Sequence, residues 1–354
     1  ICLFTLLNFL NVKSQTYSSN YEENIFNQIK KDSINYNFFE SLLAIDPLMT
    51  PELASDYELK VNSIIKSVPP KEKKEKKEKK RIEKLYDDLH DAFFIKYHLN
   101  AYFNDIFENG TYNCVTATAL YSYVFEKLNI PYHVKETPSH VFLVVYPNTY
   151  KIYLETTVPG QYGFIIPKES EIEKIVDELI SYKLVTKAEV SKKGYLKFYE
   201  DYFYGKEYID KRALIGMQYY NKGLLDFDNV VYDEALNNFK KTKIFYSSPL
   251  IDPFIKNIMF IKVNELEFNT KKDVDYLIEL LSISKFPEDY SIPNLKSSLY
   301  KIIDHDDNDN AFIEYTIEKF KAVNNTNIKN KAIEFLLEYL ANNAARNEAL
   351  DDAL

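Results

Sequence analysis

The chain has 354 residues, enough for two domains that each bury a core of their own. Its charge is mixed, with 44 Lys and Arg against 53 Asp and Glu. This balance excludes a strongly basic surface and therefore nucleic acid as an expected partner. Outside the N-terminal segment no apolar window is long enough to span a membrane.

The N-terminal segment, residues 1–16, is apolar at first and then polar. Its apolar part suits the hydrophobic region of a secretory signal and is too short for a transmembrane helix. We therefore expect a truncated signal peptide over residues 1–16, cleaved near residues 14–16, and a periplasmic or secreted protein. A buried N-terminal helix is the alternative. Because Cys2 would leave with the signal, Cys114 would be the single cysteine of the mature chain. That favours a reactive thiol over a small buried hydrophobe.

Residues 17–70 show helical spacing of apolar side chains, interrupted at Pro47 and Pro51, and predict two or three helices. Residues 71–84 form a Lys/Glu-rich run, predicted to be a solvated linker or frayed helix, with contact to an anionic surface as the alternative. Residues 85–107 are again helical in pattern. His90 and His98 lie there beside aspartates, but neither HExxH nor a paired-cysteine spacing is present, so we predict no metal and no cofactor.

The stretch that follows is the most informative part of the sequence. Small and apolar residues predict a helix that starts near Cys114 and ends before Pro131. Three β-like runs come next, separated by turn signals; they are 132–136, 140–146 and 151–156. His140 opens the second run and Glu155 closes the third. If the turn between these two strands pairs them antiparallel, His140 and Glu155 lie side by side.

A cysteine at a helix start, a histidine and a carboxylate are the components of a thiol nucleophile site. The helix N-terminus and a nearby imidazolium favour the thiolate form of a cysteine. The histidine takes or shares the proton, and the carboxylate orients the ring. The oxyanion donor is left open between backbone N–H groups at the helix start and side chains; the side-chain candidates are Asn113, Tyr112 and Asn104. His133 is a rival base, although its position favours a strand-surface residue.

The segment NGTYNCVTATALYSYVFEKLNIPY, followed by TPSHVF and LETT, resembles the bacterial branch of the transglutaminase-like superfamily of papain-type folds. The resemblance covers residues 89–160, with weaker similarity beyond. It implies an α+β domain over residues 85–205, with a papain- or transglutaminase-like core in which the cysteine-bearing helix packs on a small antiparallel sheet. It also implies Cys114 as nucleophile, His140 as base and Glu155 as orienting acid. Many members of the family have Asp at the third position, and Glu is one methylene longer.

The remainder of the chain is largely helical in pattern. Residues 184–190 fit either a strand or a helix start, and the tyrosine-rich stretch 195–208 could border the cleft or serve packing. Residues 219–249 resemble one tetratricopeptide repeat, with small and aromatic residues at Gly223, Ala235 and Phe239. We predict a helical repeat domain over residues 209–345, similar to a short α-solenoid and able to bind a protein partner, with a plain helical cap as the alternative.

These patterns lead to a ranked set of functions. The first is an exported thiol enzyme that transfers the acyl group of a protein or peptide amide. Hydrolysis, as by a peptidase or amidase, is slightly favoured over transfer to an amine. The second is a non-catalytic transglutaminase-like scaffold with protein-binding repeats. The third is a structural protein that contacts lipid or nucleic acid through the Lys/Glu run.

Overall fold

The computed structural model describes residues 16–137, 140–158, 164–165, 169–181, 183–203, 208–282, 292–304 and 309–351. The predicted signal peptide, apart from Thr16, lies outside these residues. The chain divides into two compact units. The first comprises the chain up to Asp228 together with Lys240–Ser247, and the second comprises Asn229–Phe239 and the chain from Ser248 onward.

The first unit is α+β. In chain order its elements are α1 (Asn20–Lys31), α2 (Phe38–Leu43), α3 (Pro51–Ser67), α4 (Glu75–Phe93), β1 (Lys96–Tyr97), α5 (Asp105–Glu108), β2 (Thr111–Tyr112), α6 (Cys114–Lys127), β3 (Tyr132–Thr137), β4 (His140–Val145), β5 (Ile152–Leu154), β6 (Phe164–Ile165), α7 (Glu169–Ser181), α8 (Lys187–Lys193), α9 (Tyr195–Phe203), β7 (Tyr208–Ile209) and α10 (Arg212–Asp228). Residues 17–70 contain the three helices α1, α2 and α3, and the starts of these helices carry local signals. Ser19, Asn37 and Thr50 each accept a hydrogen bond from a backbone N–H of the first turn.

The Lys/Glu-rich run differs from its prediction as a solvated segment, because much of it belongs to α4 and one face of that helix is buried. The side chains of Glu78 and Arg81 are 2% and 5% exposed and form an ion pair of 2.6 Å. The Tyr146 hydroxyl donates to the same carboxylate over 2.5 Å. Burial raises the pKa of Glu78, but these hydrogen bonds outweigh burial and lower it to about 2. Glu78 and Arg81 of this run therefore belong to the interior.

The main sheet has five strands in the order β6–β5–β4–β3–β7, all paired antiparallel. The three predicted strands are its centre. In the β3–β4 hairpin Thr137 pairs with His140, and in the β4–β5 pair Leu143 faces Leu154. The short outer strands complete it, and β7 comes from the end of the tyrosine-rich stretch.

Strand β4 is buried on both faces. By the alternation of a strand, Val141, Leu143 and Val145 join the core that contains α6. Phe142 and Val144 form a smaller cluster with Tyr153 on the opposite face. This packing places the start of β4, where His140 lies, beside the helix that carries Cys114.

The structure decides between the strand and the helix start that the sequence allowed for residues 184–190. Thr186 and Glu189 form a capping box at the start of α8, so this segment is a helix start and not a strand. Helices α7, α8 and α9 share a small apolar cluster, which includes Ile172, Val176, Val190 and Phe198.

The second unit is helical throughout its described part. Its elements are α11 (Tyr232–Phe245, whose last residues belong to the first unit), α12 (Ile251–Glu265), α13 (Lys271–Ser282), α14 (Ile292–Asp304), α15 (Asn310–Lys321) and α16 (Thr326–Asp351). The segment that resembles a tetratricopeptide repeat corresponds to the end of α10 and to α11, and the division between the units passes through α11. Among the described residues, no helix combines the length and apolar character that a membrane crossing requires.

Gly216 in α10 offers a test of close packing in the first unit. A Cβ at this position would lie 2.5 Å from the Tyr246 Cβ and 3.0 Å from its backbone nitrogen. Alanine gains about 1 kcal/mol of helix propensity over glycine, but overpacking against backbone costs about 1–3 kcal/mol. We therefore expect Gly216→Ala to lower the free energy of unfolding, measured by chemical denaturation. A more stable variant would contradict this packing.

Candidate active site

Cys114 is the first residue of α6 and is half-buried. The helix starts here because Asn113 and Thr116 form a capping box: the Asn113 side chain accepts from the Thr116 N–H, and the Thr116 hydroxyl accepts from the Asn113 N–H. The first intrahelical acceptor is the Asn113 carbonyl, which accepts from the Ala117 N–H, so the amides of Cys114 and Val115 have no acceptor within the helix. The sulfur thus lies at the positive end of a fourteen-residue helix.

His140 and Glu155 meet as the antiparallel pairing of their strands requires. The His140 Nε2 lies 2.8 Å from Oε1 and 2.7 Å from Oε2 of Glu155. Their side chains are 28% and 23% exposed, so solvent reaches the pair without surrounding it. Since Nε2 is engaged by the carboxylate, Nδ1 is the ring nitrogen left for the cysteine.

The three side chains are coupled electrostatically. Hydrogen bonds of the His140 ring to Cys114 and then to Glu155 raise the pKa of His140 to about 10, against the opposing effect of burial. Burial raises the pKa of Glu155, but hydrogen bonding to His140, its positive charge and bonds from Thr157 lower it overall. The arrangement therefore favours an imidazolium between a sulfur and a carboxylate. Chemically, it can form a thiolate nucleophile next to a proton donor.

Two residues that sequence reasoning missed hold Glu155 in place. The Thr157 hydroxyl donates to Glu155 Oε1 over 2.8 Å, and the Thr157 N–H donates to the same oxygen over 3.2 Å. The Tyr86 hydroxyl donates to the Glu155 carbonyl over 2.7 Å and also contacts the Val158 carbonyl. Thr157 could have been found from the run that follows the glutamate, whereas Tyr86 comes from α4 and carries no such signal.

The side-chain oxyanion candidates have other partners. Asn113 donates both amide protons, to the carbonyls of Leu99 and Ala101, each over 2.9 Å. It therefore acts as a cap and has no proton left for an oxyanion. The Tyr112 hydroxyl lies 3.4 Å from the Thr157 carbonyl, and Asn104 donates to Glu108 over 3.0 Å.

The backbone amides at the start of α6 are the donors that this geometry favours. Tyr97 is a further polar neighbour of the site. Burial raises the pKa of its phenol, and the nearby charges of Cys114 and Glu155 raise it further.

The remaining histidines considered from the sequence lie elsewhere. His133 pairs with Val144, at the other end of the hairpin from His140, and its ring stacks on Tyr208 at 4.2 Å between centroids. His90 is buried in α4, and its Nδ1 lies 2.8 Å from the Tyr121 hydroxyl. In the part of the chain that the structure describes, no group of three or more His, Cys, Asp or Glu side chains is placed to hold a metal ion.

The pKa values of His140 and His90 are shifted in opposite directions. The pKa of His140 is raised to about 10, and burial lowers that of His90 to about 4. The protonated state of His140 is therefore kept above its ordinary pKa and lost only as the pH rises through about 10, whereas His90 takes up a proton only as the pH falls through about 4. At about pH 8 an NMR titration should show His140 protonated and His90 neutral. Signals missing in His140→Gln and His90→Gln assign the two rings, and a neutral His140 at that pH would contradict the coupling.

Comparison with known proteins adds no relative: no family model, no curated protein and no solved structure matches the chain.

Proposed function

We propose that this protein is an exported thiol enzyme of the transglutaminase-like type, with a papain-like core, that transfers the acyl group of a protein or peptide amide. The observation that supports this most directly is the His140 ring held between Cys114 and the Glu155 carboxylate. A cysteine at a helix start and an oriented imidazole on an adjacent strand are what nucleophilic catalysis by a thiol requires.

The reaction proceeds in two halves. The Cys114 thiolate attacks the amide carbonyl carbon, and the oxyanion that forms accepts from the N–H groups at the start of α6. His140 donates its proton to the leaving nitrogen, so that an amine departs and a thioester remains on Cys114. In the second half, His140 takes a proton from water as it attacks the thioester, which releases the acid and restores the thiolate beside a protonated His140. A primary amine in place of water would give a new amide by the same steps.

Hydrolysis is the favoured outcome, because water is the default acceptor and the side chains of His140 and Glu155 are partly solvated. The helices of the second unit could bind a protein partner, in line with their resemblance to a tetratricopeptide repeat.

Trapping of the acyl-enzyme tests this function. The unaltered protein is incubated with p-nitrophenyl acetate near neutral pH, and peptides are mapped by mass spectrometry. We expect acetylation of Cys114 and continued release of p-nitrophenol, with both absent in Cys114→Ala. A fluorescent primary amine added during turnover partitions the product between acid and amide. Reaction no faster than that of free cysteine would contradict the enzyme and favour the non-catalytic scaffold.

A further inference from the structure

A buried hydroxyl on α6 links the three elements that carry the proposed catalytic side chains. Thr118 lies one helical turn after Cys114, on the same face of the helix. Its Oγ1 lies 3.2 Å from the Val141 carbonyl oxygen and 3.0 Å from the Thr156 Oγ1. Val141 directly follows His140, and Thr156 directly follows Glu155.

The direction of these bonds is determined by the number of protons. A threonine hydroxyl has one proton and two acceptor lone pairs. When Thr118 donates that proton to the Val141 carbonyl, Thr156 must donate its own to Thr118. Thr118 and Thr156 are both fully buried, so water cannot replace either bond. A lost partner would leave a buried polar group unsatisfied, which makes the arrangement specific as well as stable.

The need for such a link follows from how the site is built. His140 and Glu155 lie on neighbouring strands, and the β4–β5 hydrogen bonds fix their register. Cys114 is on a helix that packs on the sheet mainly through apolar side chains, and apolar contact is not directional. A displacement of about 1 Å between reacting groups can cost on the order of 100-fold in rate. A directional bond one turn from the sulfur restricts such a displacement.

We propose that Thr118 is a positioning residue, which holds the helix start with Cys114 in register with the strand of His140 and with the segment of Glu155. This inference rests on the proposed function, since it concerns the same three side chains. Thr118 does not reach the reacting atoms itself; it acts through the backbone of Val141 and the hydroxyl of Thr156.

The test compares Thr118→Val, which keeps the shape and removes the hydroxyl, with Thr118→Ser, which keeps the hydroxyl and removes a methyl group. Ser122→Ala is the matched control, because Ser122 is a buried residue on the same helix whose hydroxyl donates to the Thr118 carbonyl. Each full-length variant is checked for folding by circular dichroism. Two quantities are then measured: the rate at which iodoacetamide alkylates Cys114 in mildly acidic buffer, and the titration of the His140 ring by NMR.

We expect Thr118→Val to slow alkylation by about tenfold or more and to move the His140 titration from about 10 toward its ordinary value. Thr118→Ser should stay within about threefold of the unaltered protein, and Ser122→Ala should leave both quantities unchanged. A folded Thr118→Val with unchanged rate and titration would overturn the proposal, as would equal losses in all three variants. If Thr118→Val does not fold, Thr156→Val removes one of the two bonds and is judged by the same criteria.

The two readouts separate this inference from the function on which it rests. Slow alkylation of Cys114 in the unaltered protein would by itself contradict the thiol enzyme. The His140 titration would still show whether loss of the Thr118 hydroxyl separates the imidazole from its sulfur and carboxylate partners, because it requires no turnover.

Discussion

Replacing His140 with alanine is expected to slow alkylation of Cys114 about 30- to 100-fold at about pH 6, because a free thiol is only ~0.3% thiolate there. In the unaltered protein the His140 ring is hydrogen-bonded to Cys114 and to Glu155, so it is placed to take up the thiol proton. Turnover of an amide should fall further, by about 10³-fold or more, because the proton donor to the leaving nitrogen is also removed.

His133→Ala provides the matched control for this prediction. His133 belongs to the same hairpin, but it pairs with Val144 and stacks on Tyr208, away from the end that holds His140. Its removal should leave the alkylation rate and turnover unchanged. Equal losses in the two variants would indicate a general disturbance of the sheet, and an unaffected rate in His140→Ala would show that the thiol is not activated by this ring.

The convergence of Cys114, His140 and Glu155 could be predicted because each step depends on a local pattern. A small-residue helix begins after a capping asparagine, strands alternate around clear turn signals, and neighbouring strands in sequence pair antiparallel. Once β4 and β5 are adjacent, the start of one lies beside the end of the other. Local rules therefore suffice to bring His140 to Glu155, and packing of α6 on the sheet brings Cys114.

What could not be predicted depends on contacts between distant parts of the chain. In the sequence, Glu78 and Arg81 belong to a charged run that predicts a solvated segment. The contact with Tyr146, 68 residues after Glu78, makes them part of a buried network. Tyr86 similarly finds the Glu155 carbonyl 69 residues away.

Asn113 shows a second reason why the sequence alone does not determine a residue's role. Its side chain could serve as a cap or as an oxyanion donor, and sequence cannot decide between them. The carbonyls of Leu99 and Ala101 use its protons and exclude the second role.

The largest expected effect on stability comes from Lys241, which pairs with Glu22 in the interior of the first unit. The Lys241 Nζ lies 2.7 Å from Glu22 Oε1, and the two side chains are 3% and 1% exposed. Tyr219 donates to the same oxygen over 2.8 Å, and the Lys241 ammonium lies 5.5 Å from the centroid of that ring. Lys241→Met should lower the free energy of unfolding by about 3–5 kcal/mol, because it leaves the Glu22 carboxylate buried without its counter-charge.

Chemical denaturation of two further variants separates the loss of the buried pair from a simple loss of charge. Lys84→Met removes the same charge from an exposed pair, in which Lys84 and Asp88 are 68% and 36% exposed. It should cost no more than about 1 kcal/mol, since solvent screens such pairs. The double variant Glu22→Gln with Lys241→Met should recover most of the loss, because no charge is then left uncompensated in the interior.

If Lys241→Met were no more destabilising than Lys84→Met, the Glu22–Lys241 pair would not be a buried ion pair in solution. If the double variant were as unstable as Lys241→Met alone, the loss would come from packing around Lys241 and not from charge.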